Sequence, residues 1–155
     1  MGIDKELKLI MVDPNSEEGK QLNKKYRLLR NQGYKKGEYT IIEGDLSVNF
    51  FLLIDGIPGV KLKIALDNIN ELCLYYETAH EYRNQGYGSE AVRKVCEKVL
   101  SMPCVPALHI YSNTVNSFSL RIARKNGFKY IDAPSSKYDH WVRKNTKHAD
   151  LYKKR

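Results

Sequence analysis

Apolar residues recur along this chain at two spacings, every second residue and every third to fourth, and the switches between them mark out the elements. Lys8 to Val12 reads as a first strand, stopped by Asp13-Pro14. Ser16 followed by Glu17 and Glu18 predicts a helix start, with Leu22, Tyr26 and Leu29 on one face and Gly33 as the stop. Val48 to Ile54 is a continuous apolar strand that turns at Asp55-Gly56 into Val60 to Leu66. There Val60, Leu62, Ile64 and Leu66 alternate with Lys61, Lys63 and Ala65, the pattern of a half-exposed antiparallel strand. Asp67-Asn68 turns the chain again into Glu71 to Thr78, which completes a meander.

Past this point the pattern predicts a helix (Gly88 to Leu100), a strand (Ala107 to Ser112), a helix (Asn116 to Asn126) and strands at Phe128 to Ile131 and Tyr138 to Arg143. Gly127 stands where a helix end favours a left-handed residue, and Arg124 and Lys125 in the last turn suit the helix dipole. No repeat or low-complexity linker interrupts the chain. The expectation is one domain over residues 1–155, a mixed α/β (α+β) fold in the order β-α-β-β-β-α-β-α-β-β with a central mixed sheet flanked by helices.

A chain of 155 residues buries a core without needing disulfides or metal. Its three cysteines, Cys73, Cys96 and Cys104, have no paired spacing, and Cys73 and Cys96 fall on apolar faces as small hydrophobes. His80, His109, His140 and His148 lack the i, i+4 spacing of a helical metal site, so no metal is predicted. No apolar run approaches the ~18 residues of a membrane span, and the charged start from Met1 to Glu6 has no signal-peptide core; the expected location is cytoplasmic. Of the net charge of +8, +5 lies between Lys137 and Arg155. This basic tail, at about residues 144–155, raises a binding module for RNA or the ribosome as an alternative function, although a solvated lysine-rich surface explains it more simply.

The chemistry concentrates at Arg83-Asn84-Gln85-Gly86-Tyr87-Gly88-Ser89, between a strand and a helix. Glycines there permit a tight turn, and the first amides of the helix carry the positive end of its dipole. The segment is an anion cradle by position. Gly86-x-Gly88-x-x-Ala91 also fits the loose dinucleotide fingerprint, but it follows a meander rather than a first strand, and the next strand ends without a ribose-binding carboxylate.

A second constellation, Asn116-Ser117-Phe118-Ser119 running on to Gly127-Phe128, decides between ligands. Arg83, Gly86 and Gly88 with Asn116, Ser119, Gly127 and Phe128, in this order and spacing, resemble the GNAT superfamily of acetyl-CoA-dependent N-acetyltransferases, and in part its subgroup acting on ribosomal-protein N-termini. The resemblance implies that amides from Asn84 to Ser89, through Gln85 and Tyr87, hold the pyrophosphate of coenzyme A. It implies that the strand end at Tyr76 to Thr78 pairs with the pantetheine arm, and that Asn116 and Ser119 contact it. Acetyl-CoA is then the co-substrate and the acceptor a primary amine on a small molecule or a protein N-terminus, attacked directly in a ternary complex. Monomer and homodimer both remain open.

The same resemblance implies an acid for the departing thiolate, commonly a tyrosine four residues before the Gly of Gly-Phe. Here that residue is Ala123, which leaves a coenzyme-binding fold without turnover as a further alternative. Ser119 is the replacement of choice and Tyr111 the substitute. A lysine-like acceptor of pKa ~10.4 costs about 4.6 kcal/mol to neutralise at pH 7, an α-amine near 8 about 1.4 kcal/mol, so a strong base is needed only for the first. Glu71 and Glu77 lie on one face by alternation, and Glu77, nearer the turn, is the favoured base ahead of His80 and His109.

Overall fold

The computed structural model describes residues 5–31, 47–67, 71–113, 117–134 and 137–146. The elements are β1 (Leu7–Val12), α1 (Glu17–Asn31), β2 (Ser47–Ile54), β3 (Ile57–Leu66), β4 (Leu72–Thr78), α2 (Tyr87–Val99), β5 (Ala107–Asn113), α3 (Ser117–Lys125), β6 (Lys129–Asp132) and β7 (Tyr138–Lys144). This is the order the sequence pattern predicts. The strands form one seven-stranded mixed sheet ordered β1-β2-β3-β4-β5-β7-β6. No described helix is long and apolar enough to cross a membrane.

Two compact units are distinguished, Met1–Ala65 with Tyr75–Ala91 and Leu66–Leu74 with Val92–Arg155, so β4 and α2 each pass through both. In the first unit, β1 and β2 pair antiparallel from Leu7 opposite Ile54 to Val12 opposite Asn49. Ser16 caps α1 as expected, its Oγ accepting the Gly19 N–H at 3.0 Å. Tyr26 is fully buried with its ring tilted against Phe51.

Two expectations for β3 are corrected. The strand begins at Ile57 rather than Val60, because Asp55 and Gly56 both take positive φ (49° and 81°) and make a two-residue turn that lets Ile54 face Ile57 directly. Pro58, which has no N–H to give, falls where the register shifts between Leu52 and Leu53. Nor is β3 half-exposed: Lys61 and Lys63 retain only 5% and 3% of their surface, so both faces of the strand are covered. Alternation of lysine with aliphatic residues does not separate solvent from a covering layer that meets the lysine stems, and the Lys63 ammonium lies 5.6 Å from the centre of the Tyr75 ring.

In the second unit β5 pairs antiparallel with β7, Tyr111 opposite His140 and His109 opposite Val142. β4 meets β5 in parallel, with Cys73 opposite His109. Helix α3 ends as its sequence predicts. Gly127 takes φ 81°, its N–H reaches the Arg124 carbonyl at 3.2 Å and that of Phe128 the Ala123 carbonyl at 3.0 Å, with Ala123 and Phe128 both buried.

Cys73 and Cys96 are buried and Cys104 is exposed. Burial pushes the Cys96 thiol up to about 11 despite the pull of Arg143 beside it. In the unfolded chain this thiol ionises near 9 while the native one stays protonated, so the unfolded state binds fewer protons and stability falls from about pH 9 to pH 11, by about 2 to 3 kcal/mol. Urea melts at pH 8 and pH 10.5 are expected to show this loss in the wild type and a smaller one in Cys96→Ala; an identical loss in both would count against it. An aromatic disulfide reagent should titrate Cys104 alone in the native protein.

Candidate functional site

The glycine turn is built within the first unit from contacts close in sequence. After β4 the Ala79 N–H bonds to the Gly59 carbonyl at 2.8 Å, and a single 3-10 turn, His80–Tyr82, leads into the loop. Arg83 folds back to donate from Nε to the Thr78 carbonyl at 3.2 Å, and the Gln85 side-chain amide donates to the Glu81 carbonyl at 2.8 Å. Asn84 and Gly86 take φ 63° and 86°, the two left-handed residues that reverse the chain. Tyr82 and Tyr87 are buried, with ring centres 5.9 Å apart edge to face.

The helical ladder of α2 opens with the Glu90 N–H on the Gly86 carbonyl at 3.0 Å, so the N–H groups of Tyr87 and Gly88 lie ahead of it, at the positive end of the dipole. A Cβ built on Gly86 would meet nothing within 4 Å. The turn is thus shaped by its own hydrogen bonds, open above Gly86, and presents main chain rather than side chains. Tyr87 is a packing residue whose buried hydroxyl has no hydrogen-bond partner among the described residues; what it offers an anion is its amide.

Tyr76, Glu77 and Thr78 are half-buried on β4. The Thr78 carbonyl is occupied by Arg83 and the Glu77 carbonyl by the Tyr26 hydroxyl at 3.4 Å, which narrows the main-chain groups left at the strand end. Both carboxylate oxygens of Glu77 are closed off from solvent. Ser89 is half-buried in the first turn of α2. Asn116, residues 32–46 and most of the basic tail lie outside the described residues. In the second unit Ser119 is half-buried on α3, and Ala123 is fully buried, so no hydroxyl stands where the resemblance implies a tyrosine.

Tyr111, the substitute acid, is committed elsewhere. Its hydroxyl donates to Glu71 Oε1 at 2.6 Å, and burial followed by this bond raises its pKa well above the ordinary phenol value. Around it stands a polar group that periodicity did not reveal. His109 Nδ1 lies 2.8 Å from His140 Nε2 and 3.3 Å from Glu71 Oε2, His140 Nδ1 lies 3.6 Å from Asp132 Oδ1, and the Tyr111 ring stacks on His140 at 4.3 Å. Burial, partly offset by Glu71, lowers the His109 pKa. The missed signal was the alternation of His109 and Tyr111 on β5, which Glu71 just before β4, Asp132 on β6 and His140 on β7 complete only through strand pairing.

Residues 18–129 match the family described as the acetyltransferase (GNAT) domain. The chain belongs to the GNAT acetyltransferase family. This GNAT acyltransferase shares its fold with an acetyltransferase from Thermus thermophilus at 15% identity, covering 89% of this chain and 96% of that one with a TM-score of 0.67. An aminoglycoside acetyltransferase in complex with coenzyme A and kanamycin is similar at 12% identity, 95% and 99% coverage and a TM-score of 0.69. RimL, a ribosomal-protein alpha-N-acetyltransferase in its apo form, is similar at 16% identity, 90% and 93% coverage and a TM-score of 0.62. Among curated proteins none matches the chain closely in sequence.

Proposed function

We propose that this GNAT acetyltransferase moves an acetyl group from acetyl-CoA to a primary amine, on a small molecule or a protein N-terminus, by direct attack within a ternary complex. The observation that carries the reading is the open, self-supported turn at Gly86, whose amides at the head of α2 suit a pyrophosphate. The solved structures of similar fold support it: one is an aminoglycoside acetyltransferase in complex with coenzyme A and kanamycin, another is named as a ribosomal-protein alpha-N-acetyltransferase. In this reading Arg83 holds the turn against the end of β4, and the main chain from Asn84 to Ser89 grips the coenzyme. Tyr76 and Thr78 flank the pantetheine arm, and Asn116 and Ser119 contribute to holding it.

Ser119 takes the role of hydrogen-bonding the departing thiolate. It stands ahead of Tyr111, because a phenol that already donates to a carboxylate, with its pKa raised, surrenders its proton less readily. Glu77 is the base assigned to the amine; for an α-amine, which needs little help, a water chain acting as base needs no side chain.

Two measurements test this. Saturating acetyl-CoA should raise the melting temperature, as a ligand held by the native state alone must; no shift would overturn the coenzyme assignment. Thiol release with a panel of amines then reads turnover. Ser119→Ala is expected to lower kcat by about 100-fold, the lower end of the range for a positioned proton donor. Unchanged kcat would remove Ser119 from the chemistry.

A further inference from the structure

Glu71, His109 and His140 are 38 and 31 residues apart in sequence, yet the sheet sets them on one face. Cys73 opposite His109 in the parallel β4–β5 pair puts Glu71, two residues earlier, on the His109 side, and Tyr111 opposite His140 puts the second imidazole one diagonal step away. One ligand-type atom from each, the two imidazole nitrogens and a carboxylate oxygen, all lie within 4.8 Å of one another. We propose that Glu71, His109 and His140 form a binding site for a divalent transition cation of the zinc type, with three protein ligands and a fourth position open to water.

The donor set favours this cation over calcium or magnesium, which take oxygen ligands in larger number. Ligands 2.0–2.2 Å from a tetrahedral zinc stand about 3.3 Å or slightly more from each other; Glu71 Oε2 is already at 3.3 Å from His109 Nδ1, and His140 Nε2, at 2.8 Å, would have to move out by about half an ångström. The groups behind the ligands are those a metal site needs. Tyr111 donates to Glu71 Oε1 and leaves Oε2 turned toward His109, while Asp132 Oδ1 stands 3.6 Å from His140 Nδ1 and Nε2 is the nitrogen that faces the cluster. The Tyr111 ring stacked at 4.3 Å holds the imidazole plane of His140. The three ligands come from the second unit alone, and the inference is independent of the coenzyme reading.

The full chain, stripped with chelator and carrying Cys104→Ser to remove the exposed thiol, would be titrated with Zn2+ by calorimetry and with Co2+ by its visible d–d absorption. The expected result is one equivalent per chain, with Co2+ bands of four-coordinate intensity. His109→Ala and His140→Ala should each abolish stoichiometric binding, His80→Ala should leave it intact, and Tyr111→Phe, which removes only the bond to the carboxylate, should weaken it about 10-fold. Absence of stoichiometric binding in the Cys104→Ser protein would overturn the proposal and leave the cluster as a network sharing protons. Binding that survives both histidine substitutions would overturn it equally.

Discussion

Gly86→Asp is expected to weaken acetyl-CoA binding on the order of 100-fold while the protein remains folded. At φ 86° a side chain is strained, but Asp and Asn tolerate left-handed backbone best, at about 1 kcal/mol, and the added Cβ meets no atom within 4 Å. The new carboxylate then stands over amides proposed to face a pyrophosphate. Two like charges about 6 Å apart at an effective dielectric of about 20 repel by roughly 3 kcal/mol, which is about two orders of magnitude in affinity. Gly86→Asn carries the same strain and nearly the same shape without the charge. Calorimetric titration of acetyl-CoA into both variants separates the causes: Asn near wild type and Asp far weaker is the expected pattern. Equal affinities for the two would show that no anion sits above Gly86.

The second large effect is on stability and runs against helix propensity. Gly19 lies in the first turn of α1, where alanine is intrinsically better than glycine by up to about 1 kcal/mol. A Cβ there would stand 2.0 Å from the Asp13 carbonyl oxygen, 2.9 Å from its carbon and 3.1 Å from Pro14 Cα. These are backbone atoms, which cannot rotate aside as a side chain does. The same carbonyl accepts both the Ser16 N–H at 3.0 Å and the Ser16 hydroxyl at 2.7 Å, so displacing it also loosens the cap of the helix. Gly19→Ala is therefore expected to destabilise the protein by about 2 to 3 kcal/mol, a fall in melting temperature of roughly 5 to 10 °C for a chain of this size. Thermal denaturation followed by circular dichroism decides it, and a melting temperature equal to or above wild type would show that the turn re-forms at no cost.

These two glycines illustrate what was legible. Gly86 announced itself by its setting, between a strand pattern and a helix pattern with Gly88 two residues on, because a tight strand-to-helix turn is a local event with local requirements. The Ser16 cap, the Asp55-Gly56 hairpin and the Gly127-Phe128 helix end were legible for the same reason. The contact that makes Gly19 irreplaceable was not, since it depends on how a turn folds back over the helix it starts. Element order came from hydrophobic periodicity, and the family resemblance from two short motifs held at their proper separation. The burial of Lys61 and Lys63 escaped both, because alternation records chemical type and not what covers each face.

By itself, then, the sequence determined the order of the described strands and helices, the Ser16 cap, the Asp55-Gly56 turn and the Gly127 helix end, and a strand-to-helix turn suited to an anion. Each of these is governed by residues within a few positions of one another, where backbone sterics and side-chain spacing act directly. Only the tertiary structure decided that Tyr111 is held by Glu71, that β3 is covered on both faces, and that Glu71, His109 and His140 converge. Those outcomes depend on strand order and register, which bring residues tens of positions apart to within a few ångströms and are set by the packing of the whole sheet.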